Sequence, residues 1–252
     1  MKLKDRGDKI CSNWDGTHKK YDWRVDLRSF DKAADYPGYF NRIIESAHTA
    51  IFENEFRRAI DTHRNFEVAG EVCFWKNYRN FQSKNKLTEK LLAHLKIRDN
   101  WDSFVKAIKQ ISKNPSYENF VVLQNTCGQK NGFAVPITFL SFYDPSEYPM
   151  VDKIIAYWWA KNRASYEYGT SPIFSQREDG WIQTSTISQK KQNWDVYIHW
   201  KRFCNEYAMR IAKHCGFNWR ARDIEMAVWE AHKRNISLEI LPAAKKPPMM
   251  NL

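Results

Sequence analysis

A chain of 252 residues with 43% hydrophobic content can form one large domain or two small lobes sharing a core. No apolar run approaches the ~20 residues a membrane-spanning helix needs, and the opening MKLKDRGDKICSNWDG lacks the apolar centre of a signal peptide. Forty Lys and Arg against 29 Asp and Glu leave a net charge of +11, which favours a polyanionic partner, nucleic acid ahead of an acidic membrane surface.

Residues 1–36 are largely polar without a sustained period and read as an irregular arm packed on the body, ending at Pro37-Gly38. From Tyr39 to Thr62, Phe40, Ile43, Ile44, Ala47, Ile51, Phe56 and Ile60 fall at helical steps, with a break expected near Glu53. Phe66 to Phe81 reads as a helix through Val68, Val72, Trp75 and Tyr78, and Thr88 opens a short one through Leu91, Leu92 and Leu95. Asp99 or Asn100 can cap the next, whose inner face is Trp101, Phe104, Val105, Ile108 and Ile111. Ser116 can cap a helix through Phe120 and Leu123.

Asn125 to Trp159 is the organising stretch. Gly128 and Gly132 bracket Gln129, Lys130 and Asn131, a turn able to bare its backbone N–H groups. Ala134 to Tyr143 is apolar enough for a buried helix, with Pro136 harmless in its first turn. Asp144-Pro145 and Tyr148-Pro149 punctuate a loop, and Pro149 at a helix start puts Asp152 in the first turn.

Ala164 to Gln192 has no helical period; Trp181 to Ile187 is a short hairpin strand or an ordered loop, and the segment reads either as a functional or mobile loop or as a tolerated insertion. Asn193 caps a long helix ending at Gly216, and a last helix runs from Ala221 to Lys233. The expected layout is one all-α helical domain over 1–240 and a flexible tail over 241–252.

Cys11, Cys73, Cys127, Cys204 and Cys215 show no metal-site spacing, and no histidine pair supplies one, so neither metal nor other cofactor is expected. An odd number of cysteines reads as reduced, mostly buried thiols in a cytoplasmic, nucleoid-associated protein.

The turn at Gly128–Gly132, followed by Pro149 and Val151-Asp152-Lys153-Ile154-Ile155-Ala156, resembles the helix-hairpin-helix DNA glycosylases, in particular the archaeal 8-oxoguanine glycosylase branch. A second segment, Tyr207 to Trp229, resembles that branch with Glu225 in place of an aspartate, and Gly70-Glu71 with Trp75 is loosely similar to a third. The resemblance implies a two-lobed helical fold that flips a damaged purine out of double-stranded DNA, acting as a monomer and not on membranes. It implies that Asp152 is catalytic, and that Lys130 attacks the sugar to form a Schiff base with strand cleavage. Glu225, Trp229 and Trp75 would form the base pocket, while Gly128, Gln129, Asn131 and Gly132 would hold DNA phosphate. A second register puts Gly132-Phe133-Ala134 on the hairpin and Pro136 where the lysine would fall; Asp152 then activates water and there is no lyase step. The alternative is a non-enzymatic nucleic-acid-binding protein. The same residue types also serve structure alone: an acid at a helix start, an exposed lysine in a turn, an ion-paired glutamate beside a core tryptophan.

Overall fold

Apolar residues at three- and four-residue steps become helices along most of the chain. The computed structural model describes residues 3–128 and 132–241, with side chains described from residue 8 onward. Among the described residues there are ten α-helices and one two-stranded sheet, so the fold is all-α. The helices are α1 (Leu3–His18), α2 (Thr49–Thr62), α3 (Glu67–Asn77), α4 (Lys84–Leu95), α5 (Arg98–Lys113), α6 (Tyr117–Thr126), α7 (Ala134–Tyr143), α8 (Lys153–Asn162), α9 (Ile187–Cys215) and α10 (Ala221–Lys233). Strand β1 (Val25–Asp26) pairs antiparallel with β2 (Ile43–Ile44).

Helices that approach closely fall into two groups. One comprises α2 to α7; the other comprises α1, α8, α9 and α10. A single continuous core runs through both. Buried charges also cross the junction: Arg220, at the start of α10, reaches Glu53 of α2 at 2.7 Å. Gly70 lets α3 and α4 meet, because a Cβ there would lie 2.5 Å from Leu92 Cδ2. Among the described residues no helix is long and apolar enough to cross a membrane.

Several elements differ from the sequence reading, each for a local reason. The arm is not irregular at its start: α1 packs on α9 and α10, burying Ile10 and Trp14. The expected helix over 39–62 begins only at Thr49. Ahead of it, the Glu71 carboxylate accepts from the Phe40 N–H, where the backbone turns left-handed, and pairs with Arg42, holding that segment out of helix and against the body. The helix beginning at Phe66 stops at Asn77, leaving 79–82 as a turn. The next opens at Lys84, ahead of Thr88, and α5 opens at Arg98 with Ile97 in the cap position, ahead of Asp99 and Asn100.

Helix α9 is capped by Thr186, not Asn193, in a reciprocal box with Gln189. Asn193 is fully buried inside α9, where it donates to the Gln183 carbonyl and accepts from the Ser175 N–H. It thereby pins a turn closed by a bridge between Gln176 and Ile182; the rest of the 164–192 segment is not without helix, since Arg163–Tyr166 form a 3-10 turn and 187–192 already belong to α9. Leu241, placed in the tail by the sequence reading, is buried, and its carbonyl accepts from Arg210. The thiols are not all reduced: Cys11 of α1 and Cys215 of α9 form a disulfide across 204 residues. Cys73, Cys127 and Cys204 are buried, as expected.

Candidate functional site

Between the two helix groups lies a cavity of about 670 Å³, within the range of small-molecule and nucleobase sites. Helix α3 gives it Trp75, Lys76 and Asn77, and the following turn gives Arg79 and Phe81. The start of α7 adds Ala134 and Val135, and the approach to α8 adds Met150, Asp152 and Lys153. Helix α10 adds Arg222, Glu225 and Trp229, three residues spaced to share one face. Tyr21, Trp23 and Trp181 add three further aromatic rings.

The walls are aromatic. Trp23 meets Trp75 and Trp229 edge-on at centroid distances of 5.8 and 5.7 Å, and Tyr21 meets Trp229 at 5.7 Å. The Arg79 guanidinium lies 4.5 Å over Trp23, a cation–π contact that brings positive charge to the opening. Phe81 and Trp181 are 80% and 45% exposed, so two large rings stand at the rim with apolar surface uncovered.

Asp152 is half-buried and caps α8 rather than lying within its first turn, because residues 149–151 are held outside the helix. Each of their carbonyls is taken by a side chain: Pro149 by the Tyr197 hydroxyl, Met150 by the Trp200 indole and Val151 by Lys76. The Asp152 carboxylate then accepts from the Ile155 N–H at 2.9 Å and from the Trp229 indole N–H at 3.1 Å. The first bond caps α8 and the second ties the carboxylate to α10.

Glu225 is buried and pairs with the fully buried Arg222. Arg222 also donates to the Tyr21 hydroxyl at 3.3 Å and lies 3.7 Å from Glu53. Burial pushes the Glu53 carboxyl up, against the pull of Arg220 and Arg222. Burial likewise raises the Tyr21 phenol, which stays protonated and able to donate.

Four residues singled out in the sequence, Trp75, Asp152, Glu225 and Trp229, are thus brought to one cavity. Gly128 takes the left-handed conformation its turn requires, with φ +65°. Lys130, Gln129 and Asn131 lie outside the described residues; the Gly132 carbonyl accepts from Gln124. Glu71 in the Gly70-Glu71 pair is accounted for by its bonds to Phe40 and Arg42.

Sequence reasoning missed Lys76 and Arg222. The signal was present: Val68, Val72 and Lys76 fall four apart on the buried stripe of α3, and Arg222 falls on that of α10. A cation on an apolar stripe is costly and points to something specific beside it. Burial pushes the Lys76 amine down to about 8, the Asp152 carboxylate pulling it up and the Arg222 guanidinium pushing it further down. Among the described residues no three His, Cys, Asp or Glu side chains gather as a metal site would need. No family model matches the chain, and no curated protein or solved structure is significantly similar to it.

Proposed function

We propose that this protein is a helix-hairpin-helix DNA glycosylase that flips an oxidised purine such as 8-oxoguanine out of double-stranded DNA and excises it, with accompanying AP-lyase activity. The observation that carries the reading is the Asp152–Trp229 hydrogen bond at a cavity that Glu225 and Trp75 also line. Residues from three distant parts of the chain, α3, the start of α8 and α10, meet there in a combination that suits base excision.

Each part has work to do. The aromatic walls offer π-faces to an extruded base, worth about 1–3 kcal/mol of stacking. Glu225 and Arg222 together present an acceptor and a donor to its hydrogen-bonding edge. Asp152, held by two donors, faces the sugar and stabilises the positive charge that develops on it as the glycosidic bond breaks. Arg79 and Lys153 at the opening suit the flanking phosphates.

The test is release of 8-oxoguanine from a duplex carrying a single such lesion, comparing wild type with Asp152→Asn. Asparagine also caps helices well, so the variant's melting temperature should hold. Base release should fall about 10²–10⁴-fold, the usual range for a lost acid–base group. Salt-sensitive binding without release of any oxidised, deaminated or alkylated base would instead identify a non-enzymatic DNA-binding protein.

A further inference from the structure

We propose that Lys76 is the reacting amine of the cavity, attacking C1′ of the damaged deoxynucleotide, or of the abasic site left after excision, to form a Schiff base. This rests on reading the cavity as a DNA-repair site, and it places the nucleophile on α3, away from the Gly128–Gly132 turn.

The surroundings of the amine carry the inference. Lys76 Nζ donates to the Val151 carbonyl at 3.3 Å and touches the Met150 sulfur at 4.0 Å. Among the described residues no carboxylate lies within 4.0 Å of it, in contrast to Lys201, which holds Glu147 at 2.8 Å. Both of these partners, a carbonyl and a thioether, are uncharged, so neither holds the amine as an ammonium by ion pairing. A neutral amine is satisfied by the same partners and keeps its lone pair. The side chain sits beside Trp75 in the cavity wall, one residue removed in sequence from a ring suited to hold a base.

The charged groups that act on it are Asp152 at the start of α8 and Arg222 on α10, while Arg79, Lys153 and Glu225 line the same space. With the amine lowered to about 8, a useful fraction is neutral at physiological pH. The reaction balances with these groups alone. The Nζ lone pair forms the bond to C1′ as the glycosidic bond breaks, and its electron pair leaves with the base; at an abasic site Nζ instead adds to the C1′ aldehyde, whose oxygen leaves as water. Nζ loses a proton to Asp152, which passes it on to the ring oxygen as the sugar opens to the iminium. Loss of a proton from C2′ then expels the 3′-phosphate by β-elimination, and water hydrolyses the Schiff base, restoring the amine.

The experiment uses the full chain with a duplex bearing one abasic site, so that no prior base release is needed. Borohydride is added and the modified peptide is mapped. The expected result is a covalent adduct on Lys76 whose rate of formation rises with pH through about 8 and which is lost in Lys76→Met. An adduct on Lys130 or any other lysine, or no adduct at all, would overturn the proposal. Mapping on the wild type decides the matter even if the methionine variant fails to fold. The glycosylase reading is scored separately on the 8-oxoguanine duplex. Base release with no adduct at Lys76 overturns this proposal and leaves that reading standing. An adduct at Lys76 with no release of any base keeps the amine as an abasic-site lyase and removes the glycosylase step.

Discussion

Two hollows of about 670 Å³ each mark this molecule, and they use charge in opposite ways. The second is lined along α5 and the end of α2 by His63, Arg98, Asp102, Lys106, Lys109, Gln110 and Lys113. Its charges stand in water: the side chains of Arg98 and Asp102 are 69% and 41% exposed. In the aromatic cavity the corresponding figures for Arg222 and Glu225 are 0% and 5%. Volume and positive charge therefore do not tell the two apart. What separates the two is desolvation, which makes each buried charge depend on one particular neighbour.

That dependence predicts the largest difference. Arg222→Met removes the partner of Glu225 and one of the two partners of Glu53, leaving carboxylates buried without compensation. The expected loss is about 3–5 kcal/mol, read as a lower midpoint in urea denaturation. Lys109→Ala in the open hollow should stay within about 0.5 kcal/mol of wild type. Equal effects at the two sites would mean that the buried network contributes nothing beyond a surface ion pair.

Protonation sharpens the contrast further. Lys76 is lowered from the ordinary 10.5 to about 8, so below pH 8 the folded state carries a desolvated ammonium that the unfolded chain solvates freely. Between about pH 8 and 10.5 the unfolded state binds more protons than the folded one, and stability must rise with pH. Relative to Lys76→Met, wild type should gain up to about 3 kcal/mol across that window and nothing outside it. Denaturation curves at pH 7.5, 9 and 10.5 for both proteins check the sign; a flat difference would mean that the amine is solvated as an ordinary lysine is.

Much of the helical frame was legible because periodicity is a local property. The apolar stripe of α5, the Ser116 cap, the left-handed Gly216 stop and both ends of α10 all follow from neighbours within a few residues. What the sequence hid depends on distant partners. Cys11 and Cys215 are brought within bonding reach by the docking of α1 on α9. Asp152 could be recognised as an acid near a helix start, but its cap position is set by Lys76, Tyr197 and Trp200 taking the carbonyls before it. The Trp75, Glu225 and Trp229 positions were visible only through resemblance. No spacing rule connects α3 with α10, and only the packed fold gives these residues a common cavity.

The smallest of the expected effects isolates one bond. Trp229→Phe keeps an aromatic face in the cavity wall while deleting the indole N–H that donates to Asp152 at 3.1 Å. A hydrogen bond to a charged group contributes about 1.5–3 kcal/mol, so base release should slow roughly 10- to 100-fold if the bond holds the carboxylate where sugar charge develops. Ground-state binding to lesion-bearing duplex should change less, because the stacking face remains. A large loss of binding with the rate on bound substrate unchanged would instead assign Trp229 to gripping the base alone. Combining Trp229→Phe with Asp152→Asn then decides the coupling. If the indole acts through the carboxylate, the double variant should be no slower than Asp152→Asn by itself, whereas additive losses would show two independent contributions.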